Sequence, residues 1–175
     1  MRYEIAGLLL LMLSFTGNLS AGDKPKKSAE IKAAFIINFA KFTRWPVNTT
    51  TNMVICFPTV AEPVGAVMTR KYAQVAIQNQ KLKVHRGVVL NELHYCRIVY
   101  LGHHDAYRRN EILAQLSNTA VLTISDLPGF NHSGGMIELF REGNKYRFSV
   151  NLDAIAWEGL EINARILGLA RNRVQ

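Results

Sequence analysis

Three short runs in this chain are almost continuously apolar: residues 53–57, 98–101 and 121–124. Runs of four or five residues are too short for buried helices. They also lack the polar alternate positions of a strand with one wet face. They therefore read as strands covered on both sides, the signature of a parallel sheet between helical layers. Helical patterns lie between them, over residues 63–71, 90–95 and 108–116, with Val64, Val67, Met68, Ile112, Leu113 and Leu116 as inward positions. Residues 82–86 alternate like a half-buried strand, and residues 72–81 stay ambiguous. Later, residues 136–140 and 146–150 flank Arg141-Glu142-Gly143-Asn144-Lys145, a β-hairpin pattern with Gly and Asn in the turn. Asn151 can cap a helix from Leu152, and Asn163 a last helix through Arg171. The expected fold is a single α/β domain: a mixed, largely parallel sheet flanked by helices, ending in a hairpin and two helices.

The N-terminus sets the compartment. Arg2 precedes an apolar run from Ile5 to Phe15. Gly17 and Asn18 break it, and Leu19-Ser20-Ala21 ends on the small residue that signal peptidase prefers. Eleven apolar residues reach roughly 16 Å as helix, about half a bilayer core, so a spanning anchor does not fit. The expected organisation is a signal peptide over 1–21, cleaved after Ala21, a mobile basic leader over 22–27, and the domain over 28–175. Ser28 is the expected N-cap of the first helix. Its stripe is read as Ile31, Phe35, Asn38 and Phe42, with Ala34 and Phe39 beside it, and Pro46 stops it just after Trp45.

Export changes what charge and cysteine can mean. Lys and Arg total 21 against 13 acidic residues, a net charge of +8. Removing 1–21 takes away Arg2 and Glu4 together and leaves that balance intact. Outside the cytoplasm nucleic acid is a poor partner; an anionic membrane surface or an acidic protein face is a better one. An oxidising compartment lets Cys56 and Cys96 form a bridge if their strands are neighbours. The bridge would close a loop of roughly 40 residues and stabilise by about 4 kcal/mol in the chain-entropy model; the other reading is a pair of buried thiols.

Catalytic patterns are thin. No Cys-x-x-Cys and no Gly-x-Ser-x-Gly elbow is present. Ser125 and Asp126 lie before a Gly-rich loop, where the glycines permit tight turns. His103-His104-Asp105 reads as a polar loop, since adjacent histidines diverge, and His85, His94 and His132 lack i, i+3 or i, i+4 partners. The expectation is no enzyme, no metal and no cofactor. Loops at the carboxyl ends of the strands could hold a small molecule.

Several segments in order resemble one family. Phe35-Ile36-Ile37-Asn38-Phe39-Ala40-Lys41-Phe42-Thr43-Arg44-Trp45-Pro46 is similar to the opening helix of YfiR-type periplasmic proteins. Ile55-Cys56-Phe57 resembles their first strand and Cys96-Arg97-Ile98-Val99-Tyr100-Leu101 their cysteine-led central strand. Val121-Leu122-Thr123-Ile124-Ser125-Asp126, Gly129-Phe130 and Gly134-Gly135-Met136-Ile137 resemble the late strand–loop–strand. Arg147-Phe148-Ser149-Val150-Asn151-Leu152 and the stretch from Gly159 to Ala170 resemble the ending. The resemblance implies a repressor that binds the periplasmic region of a YfiN-type inner-membrane diguanylate cyclase and keeps cyclic-di-GMP and biofilm formation low. A YfiB-type outer-membrane, peptidoglycan-associated protein would sequester it, and a homodimer stays open. The late second cysteine pair of some members is absent here, where the chain reads Phe130-Asn131-His132-Ser133-Gly134-Gly135. Candidate partner-binding residues are Phe35, Phe39, Trp45, Phe130 and Trp157. The alternative is a periplasmic sensor that binds a small molecule.

Overall fold

The computed structural model describes residues 23–46 and 51–174; the signal peptide expected over 1–21 lies outside them. In chain order come α1 (Asp23–Phe42), β1 (Thr43–Arg44), β2 (Asn52–Phe57), α2 (Pro63–Tyr72), β3 (Ala76–Ile77) and β4 (Gln80–Arg86). A 3-10 helix (Leu90–Tyr95), β5 (Ile98–Leu101), a second 3-10 helix (His103–Arg108), α3 (Arg109–Gln115) and β6 (Leu122–Ser125) follow. The chain continues through β7 (Ile137–Glu142), β8 (Lys145–Asn151), α4 (Leu152–Trp157), β9 (Glu161–Ile162), α5 (Ala164–Leu167) and β10 (Asn172–Val174).

The main sheet has the order β10-β8-β7-β6-β5-β2-β4-β3. Its centre, from β4 through β2, β5 and β6 to β7, is parallel. Antiparallel hairpins close both sides, β3–β4 and β7–β8, and β10 adds a parallel strand beyond β8. This is the mixed, largely parallel sheet that the apolar runs call for. Every residue of β5 and of β6 is buried. On β2, Met53, Ile55 and Phe57 enter the core under α1 and α2, while Cys56 enters the opposite core with Leu93, Ile112, Leu116 and Phe130. Alternating side chains thus feed two separate apolar layers.

Helix α1 departs from the expected stripe. Its buried residues are Ala29, Ala33, Ile36, Ile37, Phe39 and Ala40, and Asn38 is exposed. The alanines let the helix axis approach the sheet closely, so the seam follows the smallest side chains. The helix also starts at Asp23, so the leader expected to be mobile forms its first turns. Ser28 is no cap: its hydroxyl is hydrogen-bonded to that of Tyr146 on β8. At the other end the Gln78 amide donates to the carbonyls of Ala40, Lys41 and Thr43 at 3.0, 3.2 and 2.8 Å. Gln78 and Asn79 both have positive φ, 51° and 62°, which makes the tight β3–β4 turn and resolves the ambiguous segment.

The C-terminus holds another difference. The last helix stops at Leu167 instead of Arg171, and the chain turns into β10. The Arg171 N–H bonds to Phe148 O at 2.9 Å, which draws the following residues alongside β8.

Candidate functional site

The carboxyl ends of the parallel strands were the expected place for a ligand crevice, and here they carry the most concentrated charge. Ser125 ends β6, donating its hydroxyl to Leu101 O at 2.8 Å and accepting from Leu127 N at 2.9 Å. The next residue, Asp126, is ion-paired with Lys32 of α1. Glu62 caps α2 by accepting from Val64 N at 3.2 Å. Asp105 accepts from Gly102 N at 3.0 Å and from the Thr59 hydroxyl at 2.7 Å. A Cβ on residue 102 would lie 1.8 Å from Glu62 Oε2, so only glycine lets this carboxylate seat there.

Burial dominates the electrostatics. Glu62 is only 5% exposed. Burial raises its carboxyl above the usual 4.5, opposed by the Val64 N–H and Lys32 and reinforced by Asp126 and Asp105. Burial, then the Asp126 and Glu62 carboxylates, push the Tyr100 hydroxyl well above its usual range. Each carboxylate already has a structural duty as helix cap, loop tie or ion pair. Glu62, Asp105 and Asp126 tie the segments after β2, β5 and β6 to one another and to α1 and α2. Sequence reading missed Glu62, Asp105 and Lys32. The signals were present: a carboxylate directly before Pro63 at a helix start, and one cation in an apolar stretch of helix.

Cys56 and Cys96 are joined by a disulfide, their Cα atoms 6.0 Å apart, on the face of the sheet under the Leu90–Tyr95 segment. The five aromatic candidates separate. Phe39 and Phe130 are 1% and 0% exposed, and Trp45 is 8% exposed. Phe39 meets Phe148 edge-on at 5.0 Å, and Phe130 packs on Gly135, where a Cβ would come within 2.2 Å of its ring. These three belong to the core, a correction to their reading as contact residues. Gly135 leaves room for the whole Phe130 ring, while Phe39 packs between Phe35 and Phe148. Phe35 is half-buried, stacked on Phe39 at 6.0 Å and packed against Phe148.

Trp157 alone of the five faces solvent, 74% exposed. It sits at the end of α4, started by Asn151 Oδ1 accepting from Ala154 N at 3.0 Å. Beside it lies a groove of roughly 130 Å³ whose apolar walls include Leu113, Leu116, Val121, Met136 and Ala154. Glu158 fixes the rim, accepting from the backbone N–H groups of Asn118 and Ala120 at 2.7 and 2.8 Å. An exposed indole next to an apolar groove, framed by a fixed carboxylate, is suited to anchoring a protein partner.

No described helix is long and apolar enough to cross a membrane. Among solved structures, a conserved domain protein of Vibrio cholerae O1 biovar El Tor superposes with a TM-score of 0.58 at 8% identity, over 83% of this chain and 60% of that one. The ABC domain from Streptococcus pneumonia, solved in complex with L-Trp, superposes with a TM-score of 0.52 at 7% identity, over 70% of this chain and 56% of that one. The chain spans less than two thirds of either protein, and at such identities the likeness is one of fold. Sequence similarity to a family reaches further: the YfiR/HmsC-like description matches residues 29–171, nearly all of the described domain. This chain belongs to the YfiR/HmsC-like family.

Proposed function

We propose that this protein is a periplasmic negative regulator that binds and represses a YfiN-type inner-membrane diguanylate cyclase, lowering cyclic-di-GMP and biofilm formation. Family membership carries the reading, since the family is one of periplasmic regulators of cyclic-di-GMP signalling and not of enzymes. The disulfide is consistent with an oxidising compartment. The Trp157 face, an exposed indole beside an apolar groove, is the candidate partner surface. Repression of this kind is stoichiometric: the regulator must bind the inactive cyclase more tightly than the active one. A YfiB-type outer-membrane protein would relieve it by competing for the regulator.

Deleting the gene should raise cellular cyclic-di-GMP, and wild-type complementation should lower it again. Trp157→Ala should complement poorly while melting like the wild type. Loss of an exposed indole costs the fold within about 0.5 kcal/mol, whereas loss of an interface anchor costs at least about 2 kcal/mol of binding. Unchanged cyclic-di-GMP on deletion would sink the repressor reading; full complementation by Trp157→Ala would remove this face from it.

A further inference from the structure

A second concave feature lies far from Trp157. The start of α1 and the β7–β8 hairpin enclose a cleft of about 360 Å³ lined by Lys24, Lys27, Ser28, Ile31, Arg141, Asn144 and Tyr146. Its charge is one-sided. Among the described residues, three cations line it and no acidic side chain does. The nearby carboxylates are engaged elsewhere: Glu142 with Arg147 and Arg171, Asp126 with Lys32, Glu30 with Lys71. Among the described side chains, none of the three cations is paired with a carboxylate. The walls are joined, because the Ser28 hydroxyl on α1 bonds to that of Tyr146 on β8. The Tyr146 ring lies between cations, with Lys32 Nζ 5.9 Å and the Arg141 guanidinium 5.8 Å from its centroid.

We propose that this cleft binds a phosphate group. Three positive charges exceed what one carboxylate neutralises, and they suit a dianionic tetrahedral oxyanion. The Arg141 fork can take two of its oxygens and the two ammonium groups the others. Ile31 and the Tyr146 ring leave apolar surface for an organic remainder, and the volume admits a small phosphate ester or a single lipid headgroup. The site is independent of the cyclase reading.

The test uses inorganic phosphate in a calorimetric titration at constant ionic strength, and co-sedimentation with phosphatidylglycerol vesicles against phosphatidylcholine vesicles. Three proteins are compared: wild type, Lys27→Gln/Arg141→Gln, and the charge-matched Lys81→Gln/Lys83→Gln control on exposed β4 positions, with melts showing that all are folded. Saturable binding by the wild type and the control, weakened about tenfold or more in the cleft variant, is the expected result, from the usual strength of hydrogen bonds to charged groups. Saturation by inorganic phosphate assigns a free phosphate compound; binding to anionic vesicles alone assigns a headgroup. Absence of saturable binding to both probes, or equal binding by the cleft variant and the wild type, or equal loss in both variants, overturns the proposal.

Discussion

Glu62 is a carboxylate only 5% exposed, and its pH response follows from that burial. Its folded pKa is raised, so the native state holds this proton more tightly than the unfolded chain does. Above the folded pKa the ionised group therefore opposes folding. The opposition is relieved as pH falls through the folded value toward the usual 4.5. Glu62→Gln keeps an acceptor for Val64 N and removes the charge. It is expected to match or exceed wild-type stability in urea melts at pH 7, with the difference shrinking as pH falls to about 5; a clear loss at pH 7 would contradict this. Residue identity alone carried part of the site. Trp157 follows small residues on a short helix, and its letter left core and surface equally open. Phe39 and Phe130 were misplaced because a ring beneath a helix and a ring at an interface demand the same side chain. What separates them is the packing around them, Phe148 against Phe39 and Gly135 against Phe130, and those neighbours are set by the fold.

At the scale of elements, the disulfide joins β2 to the segment leading into β5, two strands that are already neighbours. With the cysteines 40 positions apart in sequence, the bridge restricts a long stretch of the unfolded chain. Cys56→Ala/Cys96→Ala, or reduction, is expected to cost about 4 kcal/mol by denaturant unfolding. Two reactive thiols in unfolded, unreduced protein would show that the bridge does not form. The central strands β2, β5 and β6 were legible because burial on both faces forces an apolar run. The strands β3, β9 and β10 were not, since two or three residues hold no period. Strand β10 reads Asn-Arg-Val, and it becomes a strand only because β8 presents an open edge. The α1 seam was misread for a related reason: alanine scarcely registers as apolar, yet close approach to the sheet selects it.

The whole molecule carries a net charge of +8. Part of that surplus is neutralised locally, as where Glu142 holds both Arg147 and Arg171 at 3.3 and 3.0 Å. What is left sets a long-range field. Association with an acidic partner or anionic surface should slow by about tenfold from low to high salt, with dissociation changing less, in stopped-flow measurements. A salt-independent on-rate would mean that the charge plays no part in encounter.

Helix α1 spans that same whole, tied to β8 and β6 near its start and to the β3–β4 turn at its end. It is the first described element to be synthesised, yet Tyr146 follows Ser28 by 118 residues and Asp126 follows Lys32 by 94. At ordinary elongation rates the interval is on the order of ten seconds. During it the helix has no native anchor at its leading end, and the sheet it covers is incomplete. Locking has to wait until most of the polypeptide has emerged. Late closure of this sort leaves the nascent chain without these long-range ties until the segment from β6 to β8 has left the ribosome.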